Sequence, residues 1–135
     1  MEVLKYATAL DLNIGYYAIR IFPASQEMTA IATDLGKFKY NRLSMGMWYS
    51  RDIFQDKLDL MLDDIGCVKT YIDDILVLRK EIFYNHIEQM IKIFGILHTA
   101  GLRANATKCI FVFNDIPYLG YVIAQEGIIS DSNKV

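Results

Sequence analysis

Apolar and polar residues alternate along several short stretches of the chain, which is the spacing of β-strands. The first stretch runs from Lys5 to Leu12 and carries a carboxylate, Asp11, near its end. Burying such a carboxylate is expensive unless it is paired or bound to a metal. Further strands are expected at 17–22, 28–33, 37–43, 67–72, 75–78, 109–113 and 118–123, with turns at 34–36, 114–117 and 126–127.

Two stretches have the period of amphipathic helices instead. Ser50 or Asp52 is expected to cap the first helix, which runs to about Asp63. Its apolar stripe is Phe54, Leu58, Met61 and Ile65. The second helix runs from about Phe83 to Thr99. Its stripe is Phe83, Ile87, Met90, Phe94 and Leu97, with Ile91 beside it.

Strands and helices in this order predict an α+β fold, an antiparallel sheet with helices packed on one face. His86 and His98 lie in the second helix. Each is expected to be a surface or capping residue rather than a metal ligand.

Composition narrows the class of protein. The chain has 135 residues, 53% of them hydrophobic, enough for the core of one domain or part of one. Its net charge of −2 provides no overall basic field for a nucleic acid, which weakens such a role without excluding it. Lys37, Lys39 and Arg42 are expected on a solvated edge strand.

Cellular location follows from weaker signals. Cys67 and Cys109 have no metal-ligand spacing, so reduced thiols in an intracellular protein are expected, either cytoplasmic or nuclear. We find neither a stretch of membrane-spanning length nor a signal-peptide pattern, so no membrane association is expected. Both ends of the sequence look cut.

The stretch Tyr71-Ile72-Asp73-Asp74 organises the chain. Two apolar strands, 67–72 and 75–78, flank two adjacent carboxylates, which predicts a hairpin with both acids at its tip. Adjacent carboxylates repel each other and favour a hard divalent cation such as Mg²⁺. The alternative is a solvated turn, because Asp is a common turn residue. Asp11 would add a third carboxylate, and such a cluster typically holds two Mg²⁺ ions for phosphoryl transfer.

The same residues resemble the reverse transcriptase of long-terminal-repeat retroelements, the Ty3/gypsy-like group in particular. Residues 9–17 look like the first catalytic block of that family, an Asp followed by a Gly-Tyr turn. Met45-Gly46 with Phe54-Gln55 resembles its central block, and residues 71–74 match its signature tetrapeptide. Further like residues are His86, Ala100-Gly101-Leu102, Asn105, Lys108-Cys109 and Tyr118-Leu119-Gly120.

The resemblance implies a polymerase palm with part of the fingers, and a chain that is a partial reverse transcriptase domain over 1–135. Residues 1–18 and 50–135 would be palm, and 19–49 lower fingers. The implied reaction adds deoxynucleotides to a primer on an RNA or DNA template, with two Mg²⁺ ions, for which Mn²⁺ can substitute. The thumb, ribonuclease H and integrase regions of such polyproteins would be further partners.

The resemblance also implies residue roles. Asp11 and Asp73 would bridge the metals, Asp74 would support them, and the Leu12 carbonyl would complete one metal's shell. Lys108 would be a proton donor to pyrophosphate; a solvated lysine is the alternative. The nucleotide would contact Ile14, Gly15, Tyr16, Met45, Gly46, Tyr71 and Ile72, and the primer end Leu119 and Gly120. Tyr16 would exclude a 2′-hydroxyl by size; the alternative is an ordinary core aromatic.

The chain departs from the family pattern at several positions. The family usually has proline where this chain has Ser44, Ser130 and Ser132, commonly proline at Arg51, and a small or polar residue at Tyr49. One interpretation is a decaying or domesticated copy that folds or binds a partner without catalysis. A palm-fold nucleotide cyclase is disfavoured, since the Gly-Tyr and Leu-Gly blocks would have no role there. Either way, residues 1–135 alone are expected to have negligible polymerase activity.

Overall fold

The computed structural model describes residues 4–13, 15–125 and 127–130. Within these residues the strands are β1 (Tyr6–Asn13), β2 (Ile31–Thr33), β3 (Gly36–Phe38), β4 (Val68–Tyr71), β5 (Asp74–Arg79), β6 (Arg103–Ala104), β7 (Ile110–Phe113), β8 (Ile116–Tyr118), β9 (Tyr121–Ala124) and β10 (Gly127–Ser130). The helices are α1 (Pro23–Gln26), α2 (Ser50–Leu62) and α3 (Phe83–Thr99), with 3₁₀ turns at Gly15–Ala18 and Glu27–Thr29.

Strand β1 is the centre of a five-stranded antiparallel sheet. The strands follow the order β4-β5-β1-β6, and β7 also pairs with β1. The register between β1 and β5 is continuous from Tyr6 opposite Arg79 to Asp11 opposite Asp74. Two smaller sheets accompany this one, β8-β9-β10 and the β2-β3 hairpin. The expected α+β plan is thereby confirmed.

The two faces of the central sheet have different neighbours, because successive side chains of a strand point to opposite sides. Leu10 and Leu12 of β1 join the main core, together with buried residues of β5, α2 and α3. Ala7 of β1 belongs instead to a smaller core with Leu76 and Ile116, on the side that β8 covers. Both long helices therefore pack on the face of Leu10, and Asp11 projects from the other face.

The expected helices form over nearly the predicted lengths, although details differ. The residue before α2 is Tyr49, and no side chain caps this helix. The Ser50 hydroxyl instead donates to the carbonyl of Ser44, so neither Ser50 nor Asp52 is the expected cap. In α3 the buried stripe is His86, Met90, Ile93 and Leu97. Phe83 and Phe94, which the pattern placed inward, are exposed.

His86 is therefore a core residue, and the expectation of a surface or capping role was wrong. Its side chain is 0% exposed, and its Nε2 lies 2.8 Å from Thr8 Oγ1. Thr8 Oγ1 also accepts the Val112 N–H at 3.1 Å. Val112 has a φ of 53°, which is strained for a β-branched residue. The Thr8 hydroxyl of β1 is therefore hydrogen-bonded both to α3 and to the irregular strand β7.

Three strand predictions were wrong in part. Residues 17–22 form no strand: the 3₁₀ turn includes Tyr17 and Ala18, and of the others only Arg20 keeps a bridge, to Arg42. The hairpin expected at 28–43 is reduced to β2 and β3, whose residues are all exposed. That exposure agrees with the solvated edge predicted for Lys37 and Lys39.

The strand expected at 118–123 is two strands. Leu119 and Gly120 form the turn between β8 and β9, with φ angles of 50° and 83°. Positive φ at both loop residues is the pattern of a two-residue hairpin turn. Gly127, expected in a turn, begins β10, which pairs with β9. Glu126 and Ser132 lie outside the described residues. In the described part of the chain, we find no helix with both the length and the apolar character needed to span a membrane.

The buried histidine predicts how stability depends on pH. Burial, reinforced by the positive charge of Arg79, lowers the pKa of His86 below its ordinary value of 6.5. Below about pH 6.5 the unfolded chain binds a proton at this residue that the folded chain does not. The free energy of unfolding should therefore fall on acidification, by at most about 1.4 kcal/mol per pH unit.

Urea unfolding between about pH 7.5 and about pH 5.5 measures this dependence. The variant His86→Gln should lose the histidine contribution, whereas His98→Gln, which alters an exposed histidine of the same helix, should keep it. Equal pH dependence in both variants would contradict the assignment.

Candidate active site

The acidic hairpin forms, but its turn lies one residue earlier than the sequence suggested. Tyr71 of β4 pairs with Asp74 of β5, so the loop consists of Ile72 and Asp73 alone. Asp74 is a strand residue. Ile72 has a φ of 54°, an uncommon value for a β-branched residue. The turn is therefore strained and needs support from its surroundings.

Gln55 of α2 supplies that support. Its Oε1 accepts the N–H of Ile72 at 2.6 Å, and its Nε2 donates to Thr70 Oγ1 at 2.9 Å. The same Nε2 also donates to Asp59 Oδ1 at 2.8 Å, and the Thr70 hydroxyl donates to that oxygen as well. One helix thus holds both the backbone of the turn and the strand that leads into it.

Asp11 and Asp74 face each other across two neighbouring strands. They are directly opposed in the β1–β5 register. Directly opposed residues project to the same side of an antiparallel pair, and like charges there are destabilising. This side is the one that α2 and α3 do not cover. Both carboxyl groups are therefore held together at an accessible end of the sheet.

Asp73 completes the acidic group from the turn. Its backbone carbonyl accepts the Leu12 N–H at 2.7 Å, which fixes the turn against the end of β1. Its Oδ1 is buried and has no hydrogen-bond partner among the described residues. Burial, followed by the charges of Asp11 and Asp74, raises the pKa of Asp73 above its ordinary 3.8. Burial and the charge of Asp11 likewise raise the pKa of Asp74.

These observations fit a hard cation. The site offers carboxylate oxygens, one of them buried without a donor, and its carboxyl groups are destabilised when ionised. A bound cation would relieve both costs, because hard cations prefer oxygen ligands. In the described part of the chain, no three acidic, histidine or cysteine side chains are arranged as a complete ligand set. The three carboxylates share one end of the sheet without closing around a point.

Lys108 is the one cation whose charge acts on both of these carboxyl groups among the described residues. It opposes the rise in the pKa of Asp73 and of Asp74. The side chain is exposed, and its backbone N–H donates to the Asn105 carbonyl at 3.0 Å. Asn105 in turn donates its N–H to the Asp11 carbonyl at 2.7 Å. A short loop thus sets the lysine beside the acids.

Gly15 and Tyr16 lie where the chain leaves β1. A Cβ added at Gly15 would come within 2.3 Å of the Phe54 ring, so only glycine allows this close approach. Tyr16 is 4% exposed, and its ring centroid lies 5.0 Å from that of Phe54. Burial, and next the charge of Asp73, raise the pKa of Tyr16. Tyr16 is thus both a core aromatic and a neighbour of the acidic turn. Ile14 lies outside the described residues.

Leu119 and Gly120 occupy a hairpin tip rather than a strand, as described above. The residue before them, Tyr118, lies within reach of the charge of Asp74. Burial and the charge of Asp74 raise the pKa of Tyr118, so the end of β8 lies beside the acidic group. The sequence did not single out Tyr118 as a site residue. Its position next to the Leu-Gly pair was the signal that was available.

Among the described residues, Met45, Gly46 and Tyr71 make no hydrogen bond to the three carboxylate groups, although the backbone of Tyr71 pairs with that of Asp74. Met45 is 58% exposed, and Gly46 donates its N–H to Ser44 Oγ at 3.3 Å. A proline at Ser44 has no hydroxyl and cannot accept this bond, so the serine has a local structural role here. Tyr71 is 51% exposed at the end of β4. Arg51 is exposed, and its charge reaches Tyr16.

Gln55 is the main functional residue that sequence reasoning missed. It was noted only as part of a motif, because nothing in a linear pattern shows that a helix residue accepts a backbone N–H seventeen positions away. The positive φ of Ile72 is invisible in the sequence for the same reason. Both features depend on tertiary packing.

An antiparallel sheet with two helices on one face and a group of acids on the other defines an α+β polymerase fold. The family model described as "Reverse transcriptase (RNA-dependent DNA polymerase)" matches residues 2–123. The chain belongs to the reverse transcriptase family, and its relatives place it with the Ty3/gypsy-like retroelements.

Two of these relatives come from Drosophila melanogaster. The chain is 33% identical over 133 residues to the retrovirus-related Pol polyprotein from transposon opus, which covers 97% of this chain and 13% of the relative. It is 31% identical over the same length to the Pol polyprotein from transposon gypsy, with the same coverage. The chain therefore spans about an eighth of the length of these relatives.

Solved structures of foamy viral protease–reverse transcriptase have the same fold. One, in complex with double-stranded DNA, matches with a TM-score of 0.87 and 28% identity over 97% of this chain and 23% of that one. Another, in complex with an RNA/DNA hybrid, matches with a TM-score of 0.86 and 29% identity over 96% of this chain and 18% of that one.

The support that Gln55 gives to the acidic turn can be measured. Gln55→Ala leaves the partly buried N–H of Ile72 without an acceptor, which should lower the free energy of unfolding by about 1–3 kcal/mol. Asp56→Ala, at the neighbouring exposed position of α2, is the matched control and should change it by less than about 0.5 kcal/mol. Denaturant unfolding of the two variants compares them, and equal losses would show that Gln55 does not hold the turn.

Proposed function

We propose that this chain is the palm part of an RNA-directed DNA polymerase, which extends a primer with deoxynucleotides on an RNA or DNA template. One observation carries the proposal: Asp11 opposes Asp74 across β1 and β5, and the strained turn adds Asp73 with a buried, unpartnered oxygen. No structural need of the fold explains this arrangement. The known activity of the family supplies the reaction.

Divalent metal ions are general to the family, and Mg²⁺ is the ion proposed here, with Mn²⁺ as a substitute. Asp11 and Asp73 would hold the two ions, Asp74 would support them, and the Leu12 carbonyl would complete one shell. When bound, such ions activate the primer hydroxyl and stabilise the charge of the transferred phosphoryl group. The described residues hold no complete ligand set, as expected if the site is completed only when nucleotide and metal bind together.

The chain's own residues position the reactants. Gln55 and the Leu12 N–H hold the turn, so that Asp73 keeps its place relative to Asp11. Such positioning carries much of the rate enhancement in phosphoryl transfer. Tyr16, packed on Phe54 beside Asp73, is placed to limit the space beneath a nucleotide sugar and exclude a 2′-hydroxyl.

Further roles complete the proposed nucleotide and primer contacts. Lys108, whose charge reaches Asp73 and Asp74, is suited to give a proton to departing pyrophosphate. Backbone amides at Ile14 and Gly15 would meet the triphosphate. The remaining nucleotide contacts would come from Met45, Gly46, Tyr71 and Ile72, and the primer end would lie against Leu119 and Gly120.

The wider assignment rests on the family. Residues 1–18 and 50–135 would be palm and 19–49 lower fingers, inside a polyprotein with thumb, ribonuclease H and integrase regions. The foamy viral structures, complexes with an RNA/DNA hybrid and with double-stranded DNA, support a template–primer duplex as the partner. For a protein with that role we expect an intracellular location, either cytoplasmic or nuclear.

Metal binding is testable through thermal stability. Without metal, Asp73→Asn should melt at a higher temperature than the original chain. The raised pKa of Asp73 means that the folded state holds this proton more tightly, so its ionised form costs stability above about pH 4. Added Mn²⁺ should stabilise the original chain, by about 2.7 kcal/mol at a hundredfold excess over Kd, and should not stabilise Asp73→Asn.

Asp63→Asn is the matched control for the melting experiment. Asp63 also precedes a second aspartate but is exposed at the end of α2, so this variant should respond to Mn²⁺ as the original chain does. An equal response of both variants would place the metal elsewhere and remove the main support for the proposed site.

We expect residues 1–135 alone to lack polymerase activity. Primer extension on a homopolymer template with Mg²⁺ should give no product for residues 1–135, because the thumb region that the family implies would be needed to grip the duplex. A chimaera in which this chain replaces the matching segment of a foamy viral reverse transcriptase should extend the primer, and Asp73→Asn should abolish that activity. An inactive chimaera that still folds and binds duplex would favour the catalytically inert remnant instead.

A further inference from the structure

The central sheet has a gap in its strand pairing beside Asp11. On one side of β1, Asp11 pairs with Asp74 of β5. On the other side, the pairing of β7 with β1 ends at Ala9, and the pairing of β6 with β1 begins at Leu12. Residues 105–109 connect β6 to β7 across this gap without forming a strand. The backbone of Asp11 therefore faces a loop where other residues of β1 face a strand.

Two groups of this loop bond to the backbone of Asp11. The Asn105 N–H donates to the Asp11 carbonyl at 2.7 Å. The Asp11 N–H donates to Cys109 Sγ at 3.4 Å, and the same sulfur lies 4.0 Å from the Asp11 carbonyl oxygen. A thiol is a weak acceptor and an unusual partner for a backbone N–H within a sheet. Here the Cys109 side chain takes the place that a strand carbonyl usually has.

Asn105 also orders the loop that carries the thiol. Its Oδ1 accepts the Thr107 N–H at 3.3 Å and the Thr107 hydroxyl at 2.7 Å. Its backbone carbonyl accepts the Cys109 N–H at 3.1 Å. An asparagine side chain that bonds to the backbone two residues further on forms an Asx turn, which fixes the path of a short loop. Residues 105–109 are therefore a preformed support for Asp11, here called the Asp11 clamp.

Packing alone does not account for the position of the Cys109 sulfur. Cys67 and Cys109 are both half-buried, and both pack against the main core. Cys109 differs in that its sulfur accepts the N–H of a carboxylate-bearing residue of the candidate site. Cys67 therefore matches Cys109 in burial and in packing, and it serves as the control for the hydrogen bond.

We propose that Asn105 and Cys109 are positioning residues for Asp11, which hold its backbone so that its carboxylate stays opposite Asp74. The effect on metal binding rests on the proposed function, in which Asp11 is a metal ligand. Residues that orient a ligand without touching the metal typically change metal affinity or activity at least tenfold, and a misplacement of about 1 Å lowers the rate strongly. Neither positioning residue contacts metal or nucleotide, so each acts through the backbone of Asp11.

Binding of Mn²⁺ to the 135-residue chain, followed by the EPR signal of the free ion, tests the effect on the metal site. Cys109→Val keeps an apolar side chain but has no acceptor, so the Kd for Mn²⁺ should rise about tenfold. Cys109→Ser retains an acceptor and should raise the Kd less, whereas Cys67→Val should leave it unchanged.

Three outcomes of the Mn²⁺ titration would overturn the positioning role. The first is an unchanged Kd in Cys109→Val with only a lower melting temperature, which is what a merely structural role predicts. The second is an equal rise of the Kd in Cys67→Val, which would assign the effect to packing. The third is a rise in Cys109→Ser as large as that in Cys109→Val, which would exclude the hydrogen bond as the cause.

Amide hydrogen exchange in EDTA tests the Asp11 clamp without metal. The Asp11 and Leu12 amides should both be protected in the original chain, since the first bonds to Cys109 Sγ and the second to the Asp73 carbonyl. In Cys109→Val the Asp11 amide should exchange up to about tenfold faster and the Leu12 amide at its original rate. Equal acceleration of both amides would indicate general loosening and overturn the clamp. Cys109→Ala makes the same comparison if the valine variant does not fold.

The two measurements separate this inference from the proposed function. An original chain that bound no Mn²⁺ would refute the proposed metal site, whereas faster exchange at Asp11 alone would still support the clamp. An original chain that bound Mn²⁺ no better than Cys109→Val would keep the metal site and refute the positioning role.

Discussion

The pairing of β1 with β5 sets the position of almost everything else in this molecule. Leu10 and Leu12 must face the helices to close the core, and Thr8, on the same side, meets the buried His86. Because side chains alternate, this places Asp11 on the opposite face, directly against Asp74. A slip of one residue would bury the acid and expose the leucines, so the register that builds the core also builds the acidic site.

The free-energy cost of that arrangement is concentrated at the turn formed by Ile72 and Asp73. Ile72 adopts a positive φ, and Asp73 buries an oxygen that no donor satisfies. Support comes from two directions, since Gln55 accepts the N–H of Ile72 from the helix side and Leu12 donates to the Asp73 carbonyl from β1. Strain of this kind persists only where the surroundings over-determine the backbone, and it concentrates at functional sites.

The sequence predicted those elements that are determined by hydrophobic periodicity and turn residues. The bounds of α2 and α3, strand β1 and the acidic hairpin follow from periodicity and turn composition. The inward face of α3 did not, because hydrophobicity favoured Phe83 and Phe94 over His86. A histidine becomes a core residue only when a partner such as Thr8 stands opposite, and that partner is 78 positions away. Gln55 and Tyr118 were missed for the same reason, because their roles depend on residues that are distant in the sequence.

Like charges face each other at two places in the fold, once between acids and once between arginines. The carboxylates of Asp11 and Asp74 repel each other, and Arg20 faces Arg42 with no ion pair to either arginine among the described residues. A fold selected for stability alone would bring these opposite charges together, since ion pairing would lower both costs. The acidic group at the end of β1 therefore keeps its cost unless a cation binds there, which is the role proposed for the metal ions.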